Sequence, residues 1–380
     1  MRVVEDLANI DNDLAASMDW ALQEIKKIQH AARSGHPIIK PRWPMLVLRT
    51  PKGYTGPKEF HGEFIEGSFR AHQVPLPNAK TSKDELQALQ NWLASYKPEE
   101  LFTKAGGPTE DILRIVPEVN AKKLGQRKES YANYTPLMTP DWKSLGAQKG
   151  SQESCMKAIG KFLRMVIEKY VVPFLSSASE ILNQHARNPT TFRIFSPDEL
   201  VSNKLDAVFD VTSRNFQWDA PSRGVDGRVI EILSEHTCQG MLQGYTLTGR
   251  TGLFPSYEAF LGIVHTMMVQ YAKFIKVASE TRWRKDFPFG SINYIETSTW
   301  ARQEHNGFSH QNPSFIGAIL DLKPKFARVY LPPDANCFLS TVSHCLRANK
   351  YVNLMVGSKQ PTPVWLSPEE ADVVSRFFTE

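Results

Sequence analysis

The stretch RVIEILSEH, residues 228–236, sets the architecture. Six residues rich in branched aliphatics stop abruptly at Ser234, Glu235 and His236, which reads as a buried strand delivering polar groups at its end. Working outward, TFRIF (191–195), INYIET (292–297), ARVYLP (327–332) and VNLMV (352–356) have the same strand character. Helical patterns lie between them, notably over Tyr257–Val277 and Ala335–Ala348. Strand followed by helix, with long crossovers, predicts an α/β fold with a parallel sheet covered on both faces. Toward the N-terminus, Leu14, Met18, Leu22, Ile25 and Ile28 recur at helical steps and Gly35 marks the stop. PMLVLRT follows as a short strand, and Ser82 with Glu85 forms a capping box that opens another helix. Residues 104–150 mix Gly, Pro, Lys and polar residues without periodicity and read as a connection between two domains.

Composition narrows the function classes. The 380 residues are 41% hydrophobic and 22% charged, with a net charge of +5, as expected of a globular chain of two domains. The basic stretches EIKKIQ and NAKKLGQRK lack interleaved aromatics, which argues against a nucleic-acid groove. Cys155, Cys238, Cys337 and Cys345 are scattered, with no zinc-finger spacing, and are expected as free, mostly buried thiols. The acidic N-terminus lacks a signal-peptide core and no apolar run is long enough to span a membrane, so a cytoplasmic protein is the expectation.

In open α/β sheets, ligands bind beyond the carboxyl ends of the strands. After LVLRT come Lys52 and Gly53; after TFRIF come Asp198, Glu199, Ser202 and Asn203. After RVIEIL come Ser234, Glu235 and His236, and after VNLMV come Lys359 and Gln360. After INYIET comes WARQEHNGFSHQNPS (300–314), with Gln303, His305, Asn306 and His310. The five-residue step between the two histidines fits neither one helix face nor one strand face, so only an irregular segment aims both at one point. Plainer readings stand beside each residue. A polar loop with solvated histidines has the same sequence, Asp198 and Glu199 suit a helix N-terminus, Lys359 suits an exposed turn, and His72 suits a satisfied core position. The coincidence across several strand ends is what favours a shared cleft. There is no GxGxxG after a strand, no GxxxxGK[ST], no HExxH and no GxSxG.

Taken together, RTPKGYTGPKEFHGEFIEGSFRAHQVPL, FSPDELVSNKL, LSEHTCQGMLQGYTLTGRTGLFPSYEAF, RQEHNGFSHQNPS, RVYLPPDAN and VGSKQP resemble phosphoketolase, in particular its fungal branch. The likeness runs from about residue 13 to about residue 370. The resemblance implies a thiamine-diphosphate enzyme of the transketolase superfamily. It would be an aldehyde-lyase of carbohydrate metabolism, cleaving xylulose 5-phosphate, and often fructose 6-phosphate, with inorganic phosphate. Acetyl phosphate and an aldose phosphate are formed through an adduct at C2 of the cofactor. Glu235 matches the glutamate that hydrogen-bonds the cofactor's aminopyrimidine N1′. Tyr257 and Phe260 match its aromatic wall, and Asp198 and Glu199 match acids lining the cofactor pocket. His72, His310 and Lys52 match groups around the reacting carbons. Ser202, Gln303, His305, Asn306 and Lys359 match the lining for the sugar chain and its phosphate. The superfamily builds its sites between two chains, so a homodimer is expected for the complete enzyme.

The departures shape the expected domains. The family's Mg²⁺–diphosphate motif, GDG followed by an asparagine, is not found; the chain offers only VDGR, Val225 to Arg228. Residues 1–103 are therefore expected to be the C-terminal part of a diphosphate-binding domain, and 104–150 the connection. Residues 151–380 would be the pyrimidine-binding domain, with an insert at about 164–187 that relatives lack. Two readings stay open: a working phosphoketolase polypeptide, and a catalytically inactive fragment or one chain of a split enzyme.

Overall fold

The computed structural model describes residues 1–119, 123, 131, 134, 136–168, 191–197, 200–216, 227–297 and 312–379. The chain divides into two compact units, Met1–Pro117 and Glu118–Glu380, and the division falls inside the 104–150 stretch.

In the first unit, β1 (Arg2–Val4) pairs in parallel with β2 (Leu46–Leu48), and a long helix, Ile10–Arg33, connects them. The helix ends at Arg33, two residues before Gly35, whose φ of 82° is left-handed backbone that glycine adopts at little cost. A small antiparallel pair follows, β3 (Glu59–Phe60) with β4 (Glu63–Phe64). The expected capping box at Lys83–Ser95 forms by half. Ser82 Oγ accepts from Glu85 N at 3.3 Å, but the Glu85 carboxylate turns to Asn78, accepting from its side-chain amide at 3.0 Å. Among the described residues few apolar side chains are buried here, with Val4, Ile10, Ile65 and Leu76 the main ones, while Trp43, Phe64, Phe69 and Val74 are well exposed.

The second unit carries the sheet expected from the alternation. Its strands are β6 (Phe192–Ser196), β7 (Arg214–Phe216), β8 (Val229–Glu231), β9 (Thr251–Tyr257), β10 (Ile292–Thr297), β11 (Ala327–Tyr330) and β12 (Val352–Gly357). They lie in the order β11-β12-β10-β9-β6-β8-β7, every pair parallel. A minor antiparallel pair, β5 (Gln152–Ser154) with β13 (Pro361–Pro363), stands apart.

Successive side chains serve opposite cores. Ile194, Val229, Leu253, Ile295 and Met355 pack under the helices Cys155–Ile167 and Ala335–Arg347. Their neighbours Phe195, Ile230, Phe254, Tyr294 and Leu354 pack under Glu235–Leu247, His265–Glu280 and Ser314–Leu320. That two-sided burial is why these strands read as continuous apolar runs.

Strand β9 is not among the strands read from the sequence, and it contains Gly252 and Pro255, residues disfavoured within a strand. It is nonetheless central. The β6 pairing ends at Leu253, which leaves the β6 side of Pro255 with no ladder to break, while β10 pairs on to Tyr257. The expected helix over Tyr257–Val277 begins instead at Glu258 and is interrupted at Gly262–Val264 by a tighter turn. All four cysteines are buried and none forms a disulfide. Of the insert at 164–187, residues from 169 onward lie outside the described residues.

Candidate active site

Because all seven strands are parallel, their carboxyl ends share one edge. Tyr257 is level with Thr297, and Thr297 with Gly357. Ser196 and Glu231 are paired further along the same edge.

Tyr257 ends β9 and is 7% exposed. Its ring meets Phe260 edge to face at 5.8 Å between centroids and 81° between planes. Lys359, two residues beyond β12, donates to the Tyr257 hydroxyl at 2.9 Å, and its ammonium lies 4.3 Å from the ring centroid. Ser154 Oγ in turn donates to the Lys359 carbonyl at 2.8 Å. Two expected cofactor-wall residues and one expected phosphate ligand are thus joined directly. Cation and aromatic face attract, which holds the lysine stem in place.

Glu235 is half-buried at the first position of the helix Glu235–Leu247. Ser234 caps that helix, its Oγ accepting from Thr237 N at 3.2 Å. The carboxylate therefore sits where exposed N–H groups and the helix dipole favour negative charge. Ser202 is exposed, whereas the adjacent Asn203 is completely buried. Thr297 donates to the Asn203 side-chain oxygen and also to the Ser256 carbonyl at 3.1 Å. That chain ties the edge at β9 and β10 to the segment after β6, and the Asn203 Nδ2 has no partner among the described residues.

The sequence reading missed two acids here. Glu296, on β10, is fully buried, and neither carboxylate oxygen has a hydrogen-bond partner among the described residues. Glu258, just past β9, is 4% exposed. Burial, and then the charge of Glu258, push the Glu296 carboxyl up to about 8, so it is mostly protonated at neutral pH and carries an O–H donor. An isolated acid inside INYIET was the only signal, and nothing in the pattern separates a buried acid from an edge one.

Lys52 and His72 belong to the first unit and are both exposed. They flank a close approach: a Cβ on Gly53 would lie 2.6 Å from the Ala71 Cβ, and Gly53 has φ +78°. The turns bearing Lys52 and His72 are therefore in contact. Gly53→Ala is expected to destabilise this unit by about 1–3 kcal/mol, read as faster amide exchange across residues 50–72; unchanged exchange would show that the contact is dispensable.

Asp198, Glu199, Gln303, His305, Asn306 and His310 lie outside the described residues, as do Val225 and Asp226 of VDGR. Among the described residues no cluster of three or more His, Cys, Asp or Glu is placed to hold a metal, and no helix is long and apolar enough to cross a membrane.

Comparison with known proteins bears on this edge. A family model described as D-xylulose 5-phosphate/D-fructose 6-phosphate phosphoketolase matches residues 177–348, and its companion, the XFP N-terminal domain, matches residues 1–135. A probable phosphoketolase of Schizosaccharomyces pombe is 50% identical over 370 residues, covering 97% of this chain and 42% of that protein. One from Nocardia farcinica is 43% identical over 378 residues, covering 97% and 44%. The chain thus spans about half the length of the curated relatives it matches. A transketolase variant from Pichia stipitis superposes with a TM-score of 0.55 at 17% identity, covering 97% of this chain and 49% of that one. The transketolase of the same organism in complex with sedoheptulose-7-phosphate gives 0.51 at 15% identity, with the same coverage. These likenesses establish an α/β fold of the thiamine-diphosphate type with two domains.

Proposed function

The chain belongs to the phosphoketolase family, and from that premise we propose that it forms part of a thiamine-diphosphate-dependent lyase acting on a phosphorylated ketose with inorganic phosphate. Xylulose 5-phosphate is the substrate this reading favours, with fructose 6-phosphate second. One observation carries it: the Tyr257–Phe260–Lys359 group, where an aromatic wall and a fixed cation meet at the carboxyl edge of a parallel sheet.

The residues present fit one half of the cofactor. Tyr257 and Phe260 offer an apolar wall for a flat heterocycle. Among the described residues, the Asn203 Nδ2 and the Glu296 carboxyl are buried groups without partners at the same edge, as a polar ligand requires. When bound, the cofactor supplies the carbon nucleophile and electron sink. The protein supplies the rest. Glu235, held at a helix start, would share a hydrogen bond with N1′ of the aminopyrimidine ring. Lys359 presents a point charge to substrate phosphate, and its bond to Tyr257 fixes the distance between cofactor wall and phosphate site. Lys52 and His72 stand for proton transfer at the reacting carbons.

The diphosphate half fits less well. The sequence has no GDG motif followed by asparagine, and no step is assigned to a bound cation. The thin core of the first unit, with Trp43, Phe64 and Phe69 exposed, supports reading residues 1–103 as part of a larger diphosphate-binding domain.

Activity is tested by supplying the chain with thiamine diphosphate, Mg²⁺, xylulose 5-phosphate and phosphate and measuring acetyl phosphate. Turnover that falls by roughly 10²–10⁴-fold in Glu235→Gln is expected. No acetyl phosphate from the parent chain would favour the inactive or split-enzyme reading.

A further inference from the structure

The opposite edge of the same sheet, where the strands begin, carries a second concentration of charge. Arg193 on β6 and Arg228, just before β8, stand abreast, because Ile194 is in register with Val229. On its other side Arg193 is level with Gly252 of β9, and Arg250 lies two residues earlier. Residues abreast in a parallel pair, and residues two apart along a strand, project to the same face. Three guanidinium groups on three adjacent strands therefore face the helix Glu235–Leu247.

They meet at Tyr245 of that helix. Arg193 donates to the phenol, the Arg250 guanidinium carbon is 5.7 Å from the ring centroid, and Arg228 acts on the same group through its charge. Burial outweighs all three cations and raises the Tyr245 phenol, so its O–H is retained.

Like charges abreast on neighbouring strands oppose each other. Here one of them, Arg228, is only 7% exposed, and the other two are half-buried. Among the described residues, the direct partners of Arg193 and Arg250 besides Tyr245 are neutral: the Gly227 carbonyl at 2.5 Å and Thr248 Oγ1 at 2.7 Å. Among the described residues, no carboxylate pairs with either arginine.

We propose that Arg193, Arg228, Arg250 and Tyr245 form a binding site for a small anion bearing two or more phosphate groups, distinct from the site at the strands' carboxyl ends. Guanidinium forks match phosphate oxygens two at a time. Three strands span two interstrand spacings, roughly 10 Å, a reach that favours two linked phosphates over one. The two sites lie at opposite ends of β9, whose seven residues separate them by on the order of 20 Å.

Inorganic diphosphate is the direct probe, titrated calorimetrically into the chain at constant ionic strength without Mg²⁺, with orthophosphate and sulfate as separate arms. The site predicts saturable binding of diphosphate, at least tenfold tighter than either single anion. It also predicts at least tenfold weakening in Arg193→Gln and Arg250→Gln, with partial retention in Arg250→Lys. Tyr257→Ala, at the other edge, should leave the affinity unchanged. Each variant's thermal midpoint without anion is compared with the parent, so that a folding defect is not read as lost binding. Absence of saturable binding would overturn the proposal. So would equal affinity in both arginine-to-glutamine variants, or loss in Tyr257→Ala alone, which would place the anion at the opposite edge.

Discussion

The stability difference between Glu296→Gln and the parent chain is expected to grow, in favour of the variant, as pH rises from about 4.5 to about 8. The growth should be on the order of a few kcal/mol. Glu296 is a buried acid whose carboxyl is pushed from an ordinary 4.5 up to about 8, first by burial and then by Glu258. Between those values the unfolded chain has released the proton while the folded chain retains it. The folded state then binds more protons, so stability falls as pH rises, and the loss is complete once pH passes the folded value. Below about 4.5 the acid is neutral in both states and its cost vanishes. Glutamine has similar size and no charge at any pH. Its amide adds a constant offset, which is why the change with pH is the informative quantity. Urea denaturation of both proteins at pH 5 and pH 8.5 measures it; parallel pH dependences would show that Glu296 ionises freely in the fold. Glu258→Gln should recover a smaller part, since repulsion is the lesser cause.

The second large effect concerns Tyr257. Removing its ring with Tyr257→Ala is expected to weaken thiamine-diphosphate binding at least tenfold, because a buried aromatic contact of this kind contributes about 1.5 kcal/mol or more. The same change releases Lys359 from its 2.9 Å bond and its seat over the ring. Tyr257→Phe separates the two roles. It keeps the ring against Phe260 but gives up the hydroxyl, so cofactor affinity should stay within about threefold. Tighter dependence on the hydroxyl than on the ring would contradict the assignment of Tyr257 as a wall.

Much of this architecture is legible in the residues. The runs at 192–196, 229–231, 292–297 and 352–357 become parallel strands because both of their faces are buried, which leaves long apolar words in the sequence. The same two-sided burial hides β9. With no alternation to show, Gly252 and Pro255 dominate its appearance, and only the early end of the β6 ladder lets the proline stay. The half-formed capping box at Ser82 fails for a local reason: Asn78 offers Glu85 better donors than the Ser82 backbone does. At the site, Tyr257, Phe260, Lys359 and Glu235 are named by motif, and the first three are brought together by strand ends that the motif does not specify. Asn203 and Glu296 escape because their importance lies in what surrounds them. A short polar side chain beside an exposed serine, or an acid inside a strand, takes its meaning from burial, which sequence periodicity does not report. The arginine cluster is similar: Arg193, Arg228 and Arg250 are far apart in the chain and become neighbours only through the strand order.

The account stands on cofactor binding at the carboxyl edge of the sheet. A calorimetric titration of the chain with thiamine diphosphate and Mg²⁺, run beside Tyr257→Ala, tests it most directly. The prediction is saturable binding at one site per chain, weakened at least tenfold by the substitution. Heats that never saturate, or equal affinity in the two proteins, would contradict it.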